Sequence, residues 1–292
     1  ADPMTRRLYH GSLPHARLLA LCCVVGSIFA AGPAAGQIAL PVQTGQTWTD
    51  VGVGIGATNA SLRFEGRQYQ ALPPDMRFET ALDLVPAASL HLRHWIDRSF
   101  GLRVSGSLGL LPSLVIPTEL ATRTDGSEAT LQVTTRELQT ALLYRLHFGP
   151  SPTAIALQLE LGFDLLGYTV QETDPPILVS TTYVGPTANL GLHVPIGAAF
   201  AVGLSGGVLL PIYVLEDPVD SGRVDSSRAF TGELSLEYQL TRSLLLGLGA
   251  RWVGLSTSYT DHGSRGVSGH GVYDGQADDT FLQAGLNVRY IL

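Results

Sequence analysis

Residues 228 to 240, RAFTGELSLEYQL, alternate with period two. Phe230, Gly232, Leu234, Leu236, Tyr238 and Leu240 share one parity, and Ala229, Thr231, Glu233, Ser235, Glu237 and Gln239 share the other. Side chains two residues apart fall on the same face of a strand, so the pattern predicts one apolar and one polar face. The same rhythm runs through 51–57, 82–92, 102–110, 138–146, 154–166, 184–194, 244–252 and the final stretch 281–292, FLQAGLNVRYIL. Residues 197–215, GAAFAVGLSGGVLLPIYVL, are uncharged and long enough for a membrane helix. Their small residues Ala201, Gly203, Ser205 and Gly207 nevertheless share one parity, which predicts a strand. Segment 58–83 reads either as extended hairpin arms or as a further strand pair. Short connections near 96–100, 148–153, 194–198 and 240–243 alternate with long ones near 66–76, 116–133, 171–182, 215–227 and 260–279. The chain is therefore expected to be all-β, antiparallel and up-and-down, with about ten strands, and eight or twelve as the neighbouring counts.

Alternation does not say which face meets water. A soluble sandwich turns the leucines inward, whereas a transmembrane β-barrel turns them to lipid and encloses the polar residues. Aromatic placement favours the barrel. Tyr144, Phe200, Tyr238 and Tyr290 lie beside short connections, and Phe163, Phe230 and Trp252 lie further along their strands. The two rows are roughly 20 Å apart at strand rise and barrel tilt, close to the height of a lipid-facing band bordered by aromatic residues.

The N-terminus reads as an address. Ala1, Asp2 and Pro3 precede Met4 as a vector remnant, and Arg6, Arg7 and Arg17 precede the apolar run LLALCCVVGSIFAAG. This pattern predicts a secretory signal peptide ending near residue 36, with the barrel domain spanning 37–292. Cys22 and Cys23 are the chain's two cysteines, and LALC lacks the small residue a lipoprotein signal carries before its cysteine. The exported part is then free of cysteine, which excludes disulfides and thiolate metal sites. The net charge of −7, with all 18 basic residues arginine, excludes a basic nucleic-acid-binding surface.

Within the last strand, Gln283, Gly285, Val288 and Tyr290 follow the order polar, small, apolar, aromatic. This motif resembles the C-terminal signal by which bacterial outer-membrane barrels are recognised for insertion, except that Leu292 stands where an aromatic residue is usual. The resemblance is to the barrel class and to no narrower family. It implies the outer membrane of a Gram-negative bacterium, with long loops outside the cell. The implied partners are outer-membrane lipid, lipopolysaccharide and the barrel-assembly machinery, with no cofactor.

The inner parity carries Asp50, Glu79, Asp83, Glu137, Glu160, Asp164, Glu233 and Glu237 against Arg93, Arg103, Arg145, Arg251 and Arg289. Mixed charges in a narrow bore pair with one another, which predicts a plugged or narrow, non-enzymatic channel or structural surface protein. In that reading Glu160, Asp164, Glu233, Glu237, Arg103, Arg145, Arg251 and Arg289 form the network, and losing one arginine opens or destabilises the bore. The alternatives are a surface enzyme, either an omptin-like protease or a lipid hydrolase, and an adhesin or ligand-binding barrel acting through acidic loops. Asp261, His262, His270 and Asp274 are weak metal candidates in the last long loop. Ser89 and His91, near Asp83, are the candidates for hydrolysis. None of these spacings assigns a catalytic residue. Replacing Tyr290 and Leu292 by aspartate is expected to abolish outer-membrane insertion; normal surface levels on fractionation would refute the assembly signal.

Overall fold

The alternation of small and large residues becomes a closed ring of strands. The computed structural model describes residues 47–68, 75–81, 84–110, 113–115, 131–151, 153–171, 178–197, 199–265 and 271–292. The expected leader, Asp83 and His270 lie outside the described residues. Fourteen strand segments are described: β1 (Trp48–Gln68), β2 (Asp75–Ala81), β3 (Val85–Trp95), β4 (Phe100–Gly109), β5 (Ser113–Val115), β6 (Leu131–His147), β7 (Ala156–Val170), β8 (Ser180–Ile196), β9 (Phe200–Leu209), β10 (Tyr213–Asp217), β11 (Arg223–Gln239), β12 (Leu244–Thr260), β13 (His262–Gly263) and β14 (Val272–Ile291). No helix occurs among the described residues.

All pairings are antiparallel, and β14 returns to β1 in a ladder from Asp50 opposite Ile291 to Gln68 opposite Val272. Three staves are broken in two. β2 and β3 share β1, β4 and β5 share β6, and β9 and β10 share β8, while β13 only flanks the end of β14. The result is an up-and-down ring of about ten staves. Residues 58–68 and 75–81 are hairpin arms that lengthen the ring, and 200–217 is strand rather than helix.

Two of the breaks, β2–β3 and β9–β10, change which parity faces inward. Thr80 and Val85 are both buried, and Leu209 is buried while Val214 packs against the same core, although the numbers of each pair differ by an odd count. A one-residue slip moves every following side chain to the other face. Glu79, expected inside, is consequently exposed and opposite Arg63 on the outer face. At the β9–β10 break, the Leu210 and Ile212 amides donate to the Pro186 and Val184 carbonyls at 3.0 and 2.9 Å. Pro211 between them has no amide hydrogen to donate. Gly185 lies opposite, where any Cβ would collide with the Leu210 carbonyl.

Outward positions form an apolar band. Val53, Ile55, Leu90 and Leu204 are 64, 70, 59 and 61% exposed, which no sandwich core allows. Tyr144 and Tyr290 border this band at the short-turn end, with Phe100 packed on Tyr144 and Phe200 on Tyr238. Phe163, Phe230 and Trp252 lie exposed nearer the long-loop end. β6, β8, β11 and β12 each have 17 residues, and β1 has 21. About 9–11 tilted residues suffice to cross lipid. The staves therefore continue past the band at the long-loop end. Val53→Arg is expected to lower stability by about 2–4 kcal/mol, the cost of a mid-bilayer arginine, measured by urea unfolding in lipid vesicles. No measurable change would remove Val53 from the lipid face.

Candidate functional site

The inward side chains form three zones along the bore. At the short-turn end Trp95, Leu143, Ala156, Ala201, Leu245 and Ile291, with Gln239, make a buried floor. At the long-loop end Leu62, Phe64, Leu166, Tyr168, Tyr183, Leu255, Tyr259 and Phe281 belong to one apolar core. Charged residues occupy the zone between.

Those charges are arranged as discrete pairings. Arg93 reaches Asp50 at 2.9 Å and Glu237 at 3.3 Å, while Arg289 reaches the same two acids at 3.5 and 2.6 Å. Asp50 comes from β1, Arg93 from β3, Glu237 from β11 and Arg289 from β14, so this quartet laces four staves. Arg103 lies 2.7 Å from Glu160 and 3.7 Å from Glu233. Arg251 pairs with Glu137 and, at 2.5 Å, with Asp164. Gln139 donates to Glu137 at 2.8 Å and to Asp164 at 3.5 Å. Each arginine fork meets two acids, which is how buried guanidinium charge is best compensated.

All eight residues named from the sequence for the charge network face inward. Arg145 differs from the other seven in its partners. Its Nε donates to Gln158 Oε1 at 2.6 Å and its guanidinium lies 4.3 Å from the Trp95 ring centroid. Among the described residues it makes no ion pair with a carboxylate. Two cavities of about 160 Å3 each adjoin the network and share His91, Arg103, Glu233, Gly249 and Asn287 in their walls. Inward glycines leave this room; a Cβ on Gly249 would meet nothing closer than 4.0 Å.

Ser89 and His91 share the upper cavity, with Oγ and Nε2 3.2 Å apart. Their side chains lie within the bore, between floor and core. Of the metal candidates, exposed Asp261 and Asp274 sit 3.5 and 3.9 Å from Arg223 and Arg67, and His262 is paired opposite Tyr273. Among the described residues no three His, Cys, Asp or Glu side chains converge to hold a metal. In the last strand, Gln283 and Gly285 face inward, while Val288 and Tyr290 are exposed outward.

A second polar cluster was not foreseen. Tyr183 donates to Asp279 at 2.6 Å inside the apolar core. Glu216 accepts from Tyr259 at 3.1 Å, from the Ser221 amide at 2.6 Å and from its hydroxyl at 2.8 Å. Arg265, 2% exposed, donates to Ser221 Oγ at 3.1 Å with its guanidinium 3.8 Å from the Phe64 ring centroid. Glu216 faces inward because the break at Pro211 shifts parity, and no periodicity in the sequence marks that shift.

No family model and no curated protein matches the chain. Among solved structures it is similar to the outer membrane protease OmpT of Escherichia coli. That likeness has 10% identity and a TM-score of 0.50, over 84% of this chain and 97% of that one. It is also similar to the outer membrane protein OprG of Pseudomonas aeruginosa, at 12% identity and a TM-score of 0.44, over 85 and 98% of the two chains. The likeness to OmpT and the closed antiparallel ring agree on the fold of an outer-membrane β-barrel. At these identities the likeness is one of fold and transfers no active-site residue.

Glu237→Ala leaves both Arg93 and Arg289 with Asp50 as their remaining carboxylate partner. The loss is expected to be on the order of 3–5 kcal/mol, as for a buried pair broken from one side. Arg251→Ala strands Glu137 and Asp164 to a similar extent. Urea unfolding in vesicles measures both, and losses below about 1 kcal/mol would mean that water already compensates these charges.

Proposed function

We propose that the protein is a non-enzymatic outer-membrane barrel with a closed bore, a rigid surface platform rather than a diffusion pore. In this reading the short turns lie in the periplasm and the long loops outside the cell. The outward band meets lipid and lipopolysaccharide, and the last strand is read by the barrel-assembly machinery. The observation that carries the reading is the placement of two different barriers in series. The arginine–carboxylate network crosses the middle of the bore, and the apolar core around Phe64, Tyr168, Tyr183 and Phe281 packs the long-loop half.

Bore size points the same way. Eight strands enclose roughly what side chains can fill, while water-filled porins use about 16–18. A ring of about ten is near the lower limit. A surface protease is the competing reading, since OmpT has the same fold. The rim residues argue for the platform, because Asp261 and Asp274 already face arginines. Ser89 and His91 lie behind the apolar core, out of reach of a bulky substrate.

Series barriers make a specific expectation for transport. In planar bilayers the wild type should conduct little or only intermittently. Arg251→Ala or Arg289→Ala should raise conductance only when Phe281→Ala and Tyr183→Ala also thin the core. A large, steady wild-type conductance would overturn the closed bore.

A further inference from the structure

The charges of the bore are not evenly distributed. Nearer the long-loop end Arg103 and Arg251 face Glu137, Glu160, Asp164 and Glu233, an excess of acid. Nearer the floor, Arg93 and Arg289 are matched by Asp50 and Glu237, and Arg145 is left over. Arg145 is 8% exposed, and its Nε bond to Gln158 is its one side-chain hydrogen bond among the described residues. Gln158 is neutral, and its own amide nitrogen donates to Glu160 at 2.5 Å. A guanidinium does not lose its proton in a protein, so it cannot escape the cost of burial by neutralising itself.

Arg145 borders the lower cavity together with His193, whose ring forms no hydrogen bond to another described residue. Gly191, Gly203 and Gly247 also line this cavity, and a Cβ at these positions would collide with the Ser205, Ser235 and Asn287 side chains respectively. The cavity volume of about 160 Å3 exceeds the roughly 10–15 Å3 that a cavity needs to hold one water. Asp50, Glu160, Glu233 and Glu237 line the same cavity but are engaged by Arg93, Arg103 and Arg289, so Arg145 is the lining cation without a direct carboxylate partner among the described residues. Room, that cation and an additional donor coincide.

We propose that this cavity binds a small monovalent anion of halide type, with Arg145 as its cationic wall and His193 as a second donor. The proposal rests on the closed-bore reading, because an open aqueous pore would screen Arg145 with mobile ions. In this proposal the anion enters from the short-turn end, past the buried layer formed by Trp95, Gln239 and their neighbours. Two polar atoms in that layer, Trp95 Nε1 and Gln239 Oε1, are buried without a protein partner.

Trp95 supplies the reporter. The chain has three tryptophans, so Trp48→Phe with Trp252→Phe leaves Trp95, 4.3 Å from the Arg145 guanidinium, as the fluorophore. Iodide should quench it along a saturating curve, chloride should shift that curve competitively, and Arg145→Gln should abolish saturation while Arg145→Lys retains it. Strictly linear quenching in the reporter protein, or saturation that survives Arg145→Gln, would overturn the site. If Arg145→Gln does not assemble, chloride competition in the reporter protein decides alone. A closed barrel with linear quenching overturns the anion site only, whereas linear quenching in a barrel of large conductance removes the closed-bore reading as well.

Discussion

In hydrocarbon a peptide group has no water to bond, so each strand must find a partner on both sides or be excluded from the bilayer. The pairing of β14 with β1 meets this requirement for the whole molecule. It removes both edges of the sheet. Once the ring closes, every other feature follows from which parity faces in. The leucines and valines of the outer parity are committed to lipid, and whatever alternates with them must be accommodated within a bore about ten staves round.

That confinement explains the company the charges keep. Arg93 and Arg289 each take both Asp50 and Glu237, binding four staves through one neutral quartet. Removing a single member leaves its partners in a place where solvation is poor, so the network stiffens the barrel while making it intolerant of substitution. Arg145 departs from the rule, resting on Trp95 and Gln158 rather than on an acid. Beyond the network, where the staves outrun the lipid, the bore turns apolar on its inner side as well. There it resembles the core of a soluble protein, with Tyr183, Asp279, Glu216 and Arg265 satisfied by one another and by Ser221.

Strand breaks shape this upper region. At Pro211 the missing amide hydrogen and the close approach of Gly185 combine to offset the register. The offset turns Val214 and Glu216 inward. Without it Tyr259 and Ser221 would lack their common acceptor, and Arg265 would have no acid beneath it.

The alternating residues by themselves determined the strands, their antiparallel order, the lipid-facing parity and the inward placement of Glu160, Asp164, Glu233, Glu237 and the lumen arginines. They could do so because side-chain direction along a regular strand depends only on counting by two. Which arginine meets which carboxylate was left to the tertiary structure, since Arg93 and Glu237 or Arg251 and Asp164 are brought together across the bore by curvature and stagger. Parity also fails at the β2–β3 and β9–β10 interruptions, which is why Glu79 lies outside and Glu216 inside. The apolar core was hidden for a related reason: Leu62, Phe64, Leu255 and Phe281 occupy the inner parity at the long-loop end, where the outer parity turns polar at Ser61, Arg63, Glu65, Ser256, Asp278 and Thr280, so the alternation inverts along the same staves. Amphipathic alternation reports a boundary between lipid and a polar interior. Where the interior is itself apolar and the outer face has left the lipid the contrast reverses, and only closure of the ring shows which side is enclosed.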